Sequence, residues 1–200
     1  MAGYAPHNVD GFWTYEILRK LNYFNFQRGN QAFQQGVFEQ ARAETKTLYQ
    51  KRQECLNQVK EAKKKGNAQL VQFYQERANK YREDYEKQQH LAQLQIFQIK
   101  NAKLELKDTY IDLHGLQKEE AINIVRRRLG QIQIELTQGA IQPSVDAHNH
   151  IVKLVCGKGI HSQGRAVLKF AIPQWLDERQ YDYYNFQNDG VVLVRLIKGQ

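Results

Sequence analysis

No proline interrupts residues 36–100, and the stretch is crowded with Gln, Lys, Glu and Ala. Such residues lose little side-chain freedom in a helix, so a long run of them has few folded options besides long helices. One place breaks the run. In "KKKGNAQ", Lys63, Lys64 and Lys65 put positive charge at a helix end, Gly66 can cap it, and Asn67 can start the next helix. The stretch therefore reads as two helices, about 37–65 and 67–101, folded as an antiparallel hairpin over 37–103. In the second helix Leu70, Phe73, Ala78, Tyr81, Tyr85, Ala92, Ile96 and Phe97 are expected to form the buried stripe.

After Leu104 the period changes. "DTYIDLHG" reads as a strand and "KEEAINIVRRRLGQIQIELT" as a helix, with Ala121, Ile122, Val125, Leu129, Ile132 and Leu136 near three-and-four spacing. Glu119 and Glu120 fall in its first turn, where the helix dipole favours acids. "HIVKLVCG" is a β-branched strand. "RAVLKFAIPQWLDERQ" is a helix in which Pro173 predicts a kink or a break. "YDYYNF" and "GVVLVRLI" are strands joined by the turn "QNDG". The order βαβαββ implies parallel pairing with right-handed crossovers and a final hairpin as an antiparallel edge. The fold class is α+β or α/β: a helical hairpin over 37–103, then a two-layer sandwich over 104–200. Residues 1–36 form a separate aromatic-rich segment. There "GFWTYEILRKL" has a short helical apolar stripe that could lie on a partner, on a membrane surface or back on its own protein.

Charge is unevenly spread. The net charge of +8 divides into 17 Lys and Arg against 10 Asp and Glu over residues 1–103, and 12 against 11 over 104–200. A basic first half suits RNA, DNA or an acidic assembly, or is simply a solvated helix face. No apolar run approaches the roughly 18 residues of a membrane span. The first residues lack the basic start and apolar core of a secretory signal, and Asp10 and Glu16 argue against a mitochondrial leader. Cys55 and Cys156 lie far apart without metal-ligand spacing, which fits two free thiols in a reducing compartment. The expected location is cytoplasmic, with mitochondrial as the alternative.

Two strand-to-helix corners carry the candidate chemistry. In "YIDLHGLQKEEA", Asp112 and His114 stand two apart before Gly115. In "VCGKGIHSQGRAVLK", Gly157, Lys158 and Gly159 precede His161, Ser162, Gly164 and Arg165. Glycines at such a corner let the backbone approach a ligand, and loop amides with a helix N-terminus can hold phosphate. The spacing fits neither a P-loop nor a dinucleotide fingerprint. Ligands of parallel α/β units bind beyond the carboxyl ends of the strands, so both corners fall on one rim. On that rim His114 could move a proton to or from a phosphodiester, Asp112 could orient it, and Lys158 with the loop amides could stabilise charge on phosphorus. The plain alternative is a structural one: Asp112 caps the turn, His114 packs beneath the loop and the glycines only turn the chain.

"IDLHGLQKEEA", "GKGIHSQGRAVLK" and the closing "NDGVVLVRLI" together resemble the Smr (small MutS-related) domain over about residues 106–198. The upstream helices, with Ala62-x-x-x-Gly66 and "IFQIKN", resemble the short helical domain that often precedes Smr domains in eukaryotes. The resemblance implies a fold like the C-terminal domain of bacterial translation initiation factor 3. It also implies nucleic-acid binding and, in several branches, endonuclease activity on mRNA at stalled ribosomes. Asp112 and His114 match the family's Asp-x-His element. Gly157, Lys158 and Gly159 match its Gly-(Lys/Arg)-Gly loop, and His161, Ser162 and Gly164 its continuation. Cys156 departs from the pattern, standing where the family usually has threonine.

The expected activity is endoribonuclease cleavage of ribosome-associated or structured RNA. Asp112, His114 and Lys158 are its catalytic candidates. The nucleic-acid-binding candidates are Gly115, Gly157, Gly159, His161, Ser162, Arg165 and the basic cluster Lys63, Lys64 and Lys65. No clustered ligand spacing is present, so cleavage is expected to be metal-independent, without cofactor, leaving a 2′,3′-cyclic phosphate. The expected partner is mRNA or rRNA, with the ribosome as the larger assembly and DNA a weaker choice. The alternative is a non-catalytic RNA-binding subunit docked through its basic hairpin.

Overall fold

A computed structural model describes residues 11–14, 17, 31–102, 104–105, 108–158, 166–186 and 189–199, with side chains inside the first helix from residue 36. These residues form two compact units, one of Asn30–Gln98 and one of Met1–Gly29 together with Ile99–Gln200.

The first unit is built from α1 (Gln31–Lys64) and most of α2 (Ala68–Asn101). Lys63 and Lys64 fall in the last turn of α1, and Gly66 adopts φ +66° between the helices. Asn67 caps α2 by accepting the Leu70 N–H at 3.0 Å. Buried and half-buried residues of α1 recur as Ala41, Thr45, Leu48, Arg52, Cys55, Val59 and Ala62, alternating four and three apart. Those of α2 recur as Val71, Tyr74, Ala78, Tyr81, Tyr85, Gln88 and Ala92. This is the seam of an antiparallel helical pair. Tyr49 meets Tyr85 at 6.2 Å between centroids, and the Lys51 ammonium lies over the Tyr81 ring. Two residues expected in the stripe are not in it: Leu70 and Phe73 are 42% and 48% exposed. Each stands one residue, about 100° of helix, before a seam position. Phe73 instead carries the Arg77 guanidinium 5.6 Å above its ring.

The second unit holds a four-stranded sheet, β1 (Tyr110–Asp112), β2 (Asn149–Val155), β3 (Asp182–Phe186) and β4 (Val191–Ile197), in the order β1-β2-β4-β3. β1 and β2 are parallel, with Asp112 opposite Val155, and β4 runs antiparallel to both β2 and β3. The final hairpin supplies the antiparallel edge that the sequence suggested. Its second strand inserts between β2 and β3 and leaves β3 at the edge. The reason lies in composition: β4 is buried along both faces, which suits a central strand.

Helices α3 (Lys118–Gln138) and α4 (Val167–Glu178) pack on the sheet and on one another. α3 opens with a reciprocal cap between Gln117 and Glu120 and closes on Gly139 in the left-handed region. Val125, Leu129, Ile132 and Leu136 are fully buried along its inner stripe. α4 runs uninterrupted through Pro173, without the break the sequence suggested. Burial of Leu168, Ala171, Ile172, Pro173, Trp175 and Leu176 on the core holds it. Packing outweighs the one backbone bond that proline removes.

The other sheet face is covered by the N-terminal segment. Trp13, 6% exposed, packs against Ile151, Val155, Phe186, Val191 and Leu193, with Phe12, Tyr110 and Tyr184 around it. Its indole N–H donates to Asp182 Oδ1 at 2.6 Å. Asp182 also pairs with Arg195 at 2.9 Å, and the Arg195 guanidinium lies 3.9 Å from the Phe12 ring centroid. Of the three surfaces open to the aromatic segment, its described part takes its own protein. The rest of the expected 12–21 helix, apart from Ile17, lies outside the described residues.

Candidate functional site

Asp112 is the last residue of β1, and parallel pairing brings its carboxyl end beside that of β2. Leu113 continues the ladder by donating to Val155 O at 2.8 Å. The chain then turns: Leu116 N–H reaches back to Leu113 O at 3.2 Å, and Gly115 takes φ +87°. That turn folds His114 back over Asp112. The His114 backbone N–H donates to Asp112 Oδ1 at 3.0 Å, and its ring Nδ1 bonds the same oxygen. The Tyr110 hydroxyl, two residues earlier on the same strand face, donates to Oδ2 at 3.3 Å. The carboxylate is 8% exposed and the imidazole 29%. A ring nitrogen bonded to a carboxylate carries the proton, so Nδ1 is the donor to Asp112.

Asp112 therefore does both things the sequence left open. It caps the turn through the His114 amide and orients the ring through Nδ1. Burial, with the Asp112 charge beside it, pushes the Tyr110 hydroxyl far up, so it stays a hydrogen-bond donor. Half-burial draws the Lys100 ammonium down, and the Asp112 charge opposes this. Burial and then the same charge push the Cys156 thiol up to about 12. Where the family pattern has a hydroxyl, this chain thus has an inert buried group.

Three loops meet at this rim. Gly157, at φ +79°, passes so close to His114 that a Cβ there would lie 3.0 Å from the His114 Cβ. Gly190 of the β3–β4 turn, at φ +64°, abuts Gly157 in turn. Gly190 O accepts the N–H groups of Cys156 at 2.7 Å and of Gly157 at 3.1 Å. The Gly157 amide is thus engaged inside the protein. Lys158 extends to Asp189 and donates at 2.9 Å in a half-exposed ion pair. Such a pair is worth ~1 kcal/mol or less, so a phosphate can compete for the lysine.

The rim thus gathers Asp112, His114, Gly115, Gly157 and Lys158 as the sequence suggested. Gly159, His161, Ser162 and Arg165, with Gly164, lie outside the described residues. Lys63, Lys64 and Lys65 are exposed on the helical unit, where Lys64 pairs with Glu61 at 2.8 Å. Sequence reasoning missed Tyr110, Asn101, Asp189 and Gly190. Tyr110 carried a signal, standing two before Asp112 in a strand. Asn101 carried no chemical signal and stood only as the last residue of "IFQIKN". Its side chain holds both backbone groups of Asp112, accepting the N–H at 3.0 Å and donating to the C=O at 2.8 Å. Among the described residues no three His, Cys, Asp or Glu side chains converge, and no helix is long and apolar enough to cross a membrane.

Together these features define an α+β domain with an oriented acid–histidine pair and a glycine loop at the carboxyl ends of two parallel strands. Residues 111–196 match the family model for the Smr domain, a nucleic-acid-binding family with which nuclease activity is associated. Human NEDD4-binding protein 2 is 33% identical over 137 residues, which is 66% of this chain and 7% of that protein. The chain therefore spans under a tenth of that relative's length. The solution structure of the B3BP Smr domain is 31% identical and covers 54% of this chain and 94% of its own, with a TM-score of 0.42.

Proposed function

We propose that the chain is an endoribonuclease acting on structured or ribosome-associated RNA by metal-independent transesterification. The observation that carries this reading is the bond from His114 Nδ1 to Asp112. That bond orients the ring, and in the neutral imidazole it assigns Nε2 to take the proton of a ribose 2′-OH as that oxygen attacks phosphorus. The P–O5′ bond breaks as the 5′-oxygen takes a proton from solvent, His114 later returns its own proton to solvent, and the product ends in a 2′,3′-cyclic phosphate. Lys158, drawn from Asp189 to the phosphate, offsets charge gathering on the non-bridging oxygens. Substrate would lie across the rim, and mRNA or rRNA fits the 2′-OH requirement that DNA lacks. A cytoplasmic site of action goes with this substrate.

The test is cleavage of an end-labelled RNA by the wild type and by His114→Ala, with EDTA present and absent. The variant is expected to lose about 10²–10⁴-fold in rate. Equal rates would sink the assignment, and loss of activity in EDTA would sink its metal-independent part.

A second reading is an RNA-binding subunit without catalysis. The exposed Lys63–Lys65 cluster favours it, since that cluster would contact RNA whatever the rim does. Binding that falls steeply with salt in wild type, more gently in a triple Lys→Gln variant, and not at all differently in His114→Ala would support this reading.

A further inference from the structure

We propose that Asn101 is a positioning residue for the Asp112–His114 pair, an inference that rests on the proton-transfer reading of that pair.

β1 is three residues long and has one neighbour in the sheet. Thr109 O accepts from Lys153 at 2.7 Å and Leu113 N–H donates to Val155, so these groups face β2. Alternation then turns the N–H and C=O of Asp112 outward, past the edge of the sheet. An edge residue of so short a strand is normally left to water and frays easily. Here both groups are taken by one side chain. Asn101 Oδ1 accepts the N–H at 3.0 Å and Nδ2 donates to the C=O at 2.8 Å. A primary amide carries an acceptor and donors on one planar group, so it reproduces the pairing of a missing strand neighbour.

This amide is spent on the residue whose carboxylate holds His114. Asp112 is fixed from β2 on one side and from Asn101 on the other, while Tyr110 and His114 fix its two carboxylate oxygens. Asn101 is the last residue of α2, so its Cα is anchored by a helix and not by a loop. Losing it would let the end of β1 shift, and the imidazole would shift with it. A displacement of about 1 Å is enough to cost on the order of 10²-fold in a proton-transfer reaction.

The experiment compares the full chain with Asn101→Ala and Asn101→Asp. Three readouts are used: the ¹⁵N shifts of the His114 imidazole, thermal unfolding, and RNA cleavage. The Ala variant is expected to stay folded and to move the His114 nitrogens from the Nδ1–H pattern toward a mixture of tautomers. Its kcat should fall by on the order of 10²-fold with KM little changed. The Asp variant keeps the acceptor and loses the donor, and its nitrogen shifts should fall between the two. A folded Ala variant with wild-type His114 shifts would overturn the proposal. So would unfolding of both variants, which would make Asn101 a structural residue only. The nitrogen shifts need no cleavage to be read. If His114→Ala cuts RNA as well as wild type while Asn101→Ala still moves the shifts, the nuclease reading fails and the positioning contact stands.

Discussion

Gly190 and Gly157 touch backbone to backbone: a Cβ built on Gly190 would sit 2.2 Å from the Gly157 carbonyl oxygen. The atom in the way is main chain and cannot swing aside. Gly190 also sits at φ +64°, where a side chain costs ~1–2 kcal/mol by itself. Gly139 separates the two effects, because it has φ +76° and nothing within 4 Å of a built Cβ. In urea unfolding Gly139→Ala should therefore lose only the conformational cost. Gly190→Ala should lose a further ~1–3 kcal/mol from overpacking and should weaken RNA binding as the glycine loop is displaced.

Trp13 supplies a second stability test, since it buries its indole on the sheet face that the helices leave open. Trp13→Ala is expected to destabilise the Smr-containing unit by ~3–5 kcal/mol, in line with other buried aromatic truncations. Trp13→Phe keeps most of the packing and loses the bond to Asp182, so ~1 kcal/mol is expected. Denaturation followed by far-ultraviolet dichroism reads both. No change for Trp13→Ala would show that the sheet face does not need this cover.

Much of this was legible in the sequence where local pattern and tertiary burial agree. The three-and-four spacing of Val125, Leu129, Ile132 and Leu136 marks the inner stripe of α3, and Asp112 with His114 is visible by spacing alone. What was not legible depends on pairings between distant segments. Trp13 meets Asp182 across 169 residues, and Asn101 meets Asp112 from a different element. The sheet order could have been read further: Val191–Ile197 lacks polar alternation, the mark of a central strand, which leaves the other strand of the hairpin at the edge. Leu70 and Phe73 misled because the helical stripe shifts by one residue with little change in composition, and seam geometry decides which register is buried.

The Cys156 thiol offers a chemical probe of the rim. Burial and the Asp112 charge hold it up at about 12, so almost no thiolate is present at pH 8. In a Cys55→Ser background, Ellman's reagent should leave Cys156 untouched in the folded protein and modify it promptly in denaturant. Rapid modification of the native protein would contradict the burial of Cys156 at the end of β2.

His150 is placed to weaken the fold in acid. It is 1% exposed, opposite Leu196 in the sheet, and neither ring nitrogen has a partner in hydrogen-bonding geometry among the described residues. Burial lowers its affinity for a proton, the Arg128 guanidinium lowers it further, and the Gln142 backbone opposes them. The folded value thus lies below the ordinary 6.5 that the unfolded chain regains. Above that value both states are neutral and this residue contributes no pH dependence. Below it the unfolded state binds a proton that the folded state refuses. Stability should therefore fall as pH drops from about 6.5, by at most ~1.4 kcal/mol per unit, until the folded value is reached. His150→Leu should flatten that limb between about pH 7 and 5, measured as the difference in urea midpoint between the two proteins. Parallel curves would mean that His150 is protonated as readily folded as unfolded and would overturn this prediction.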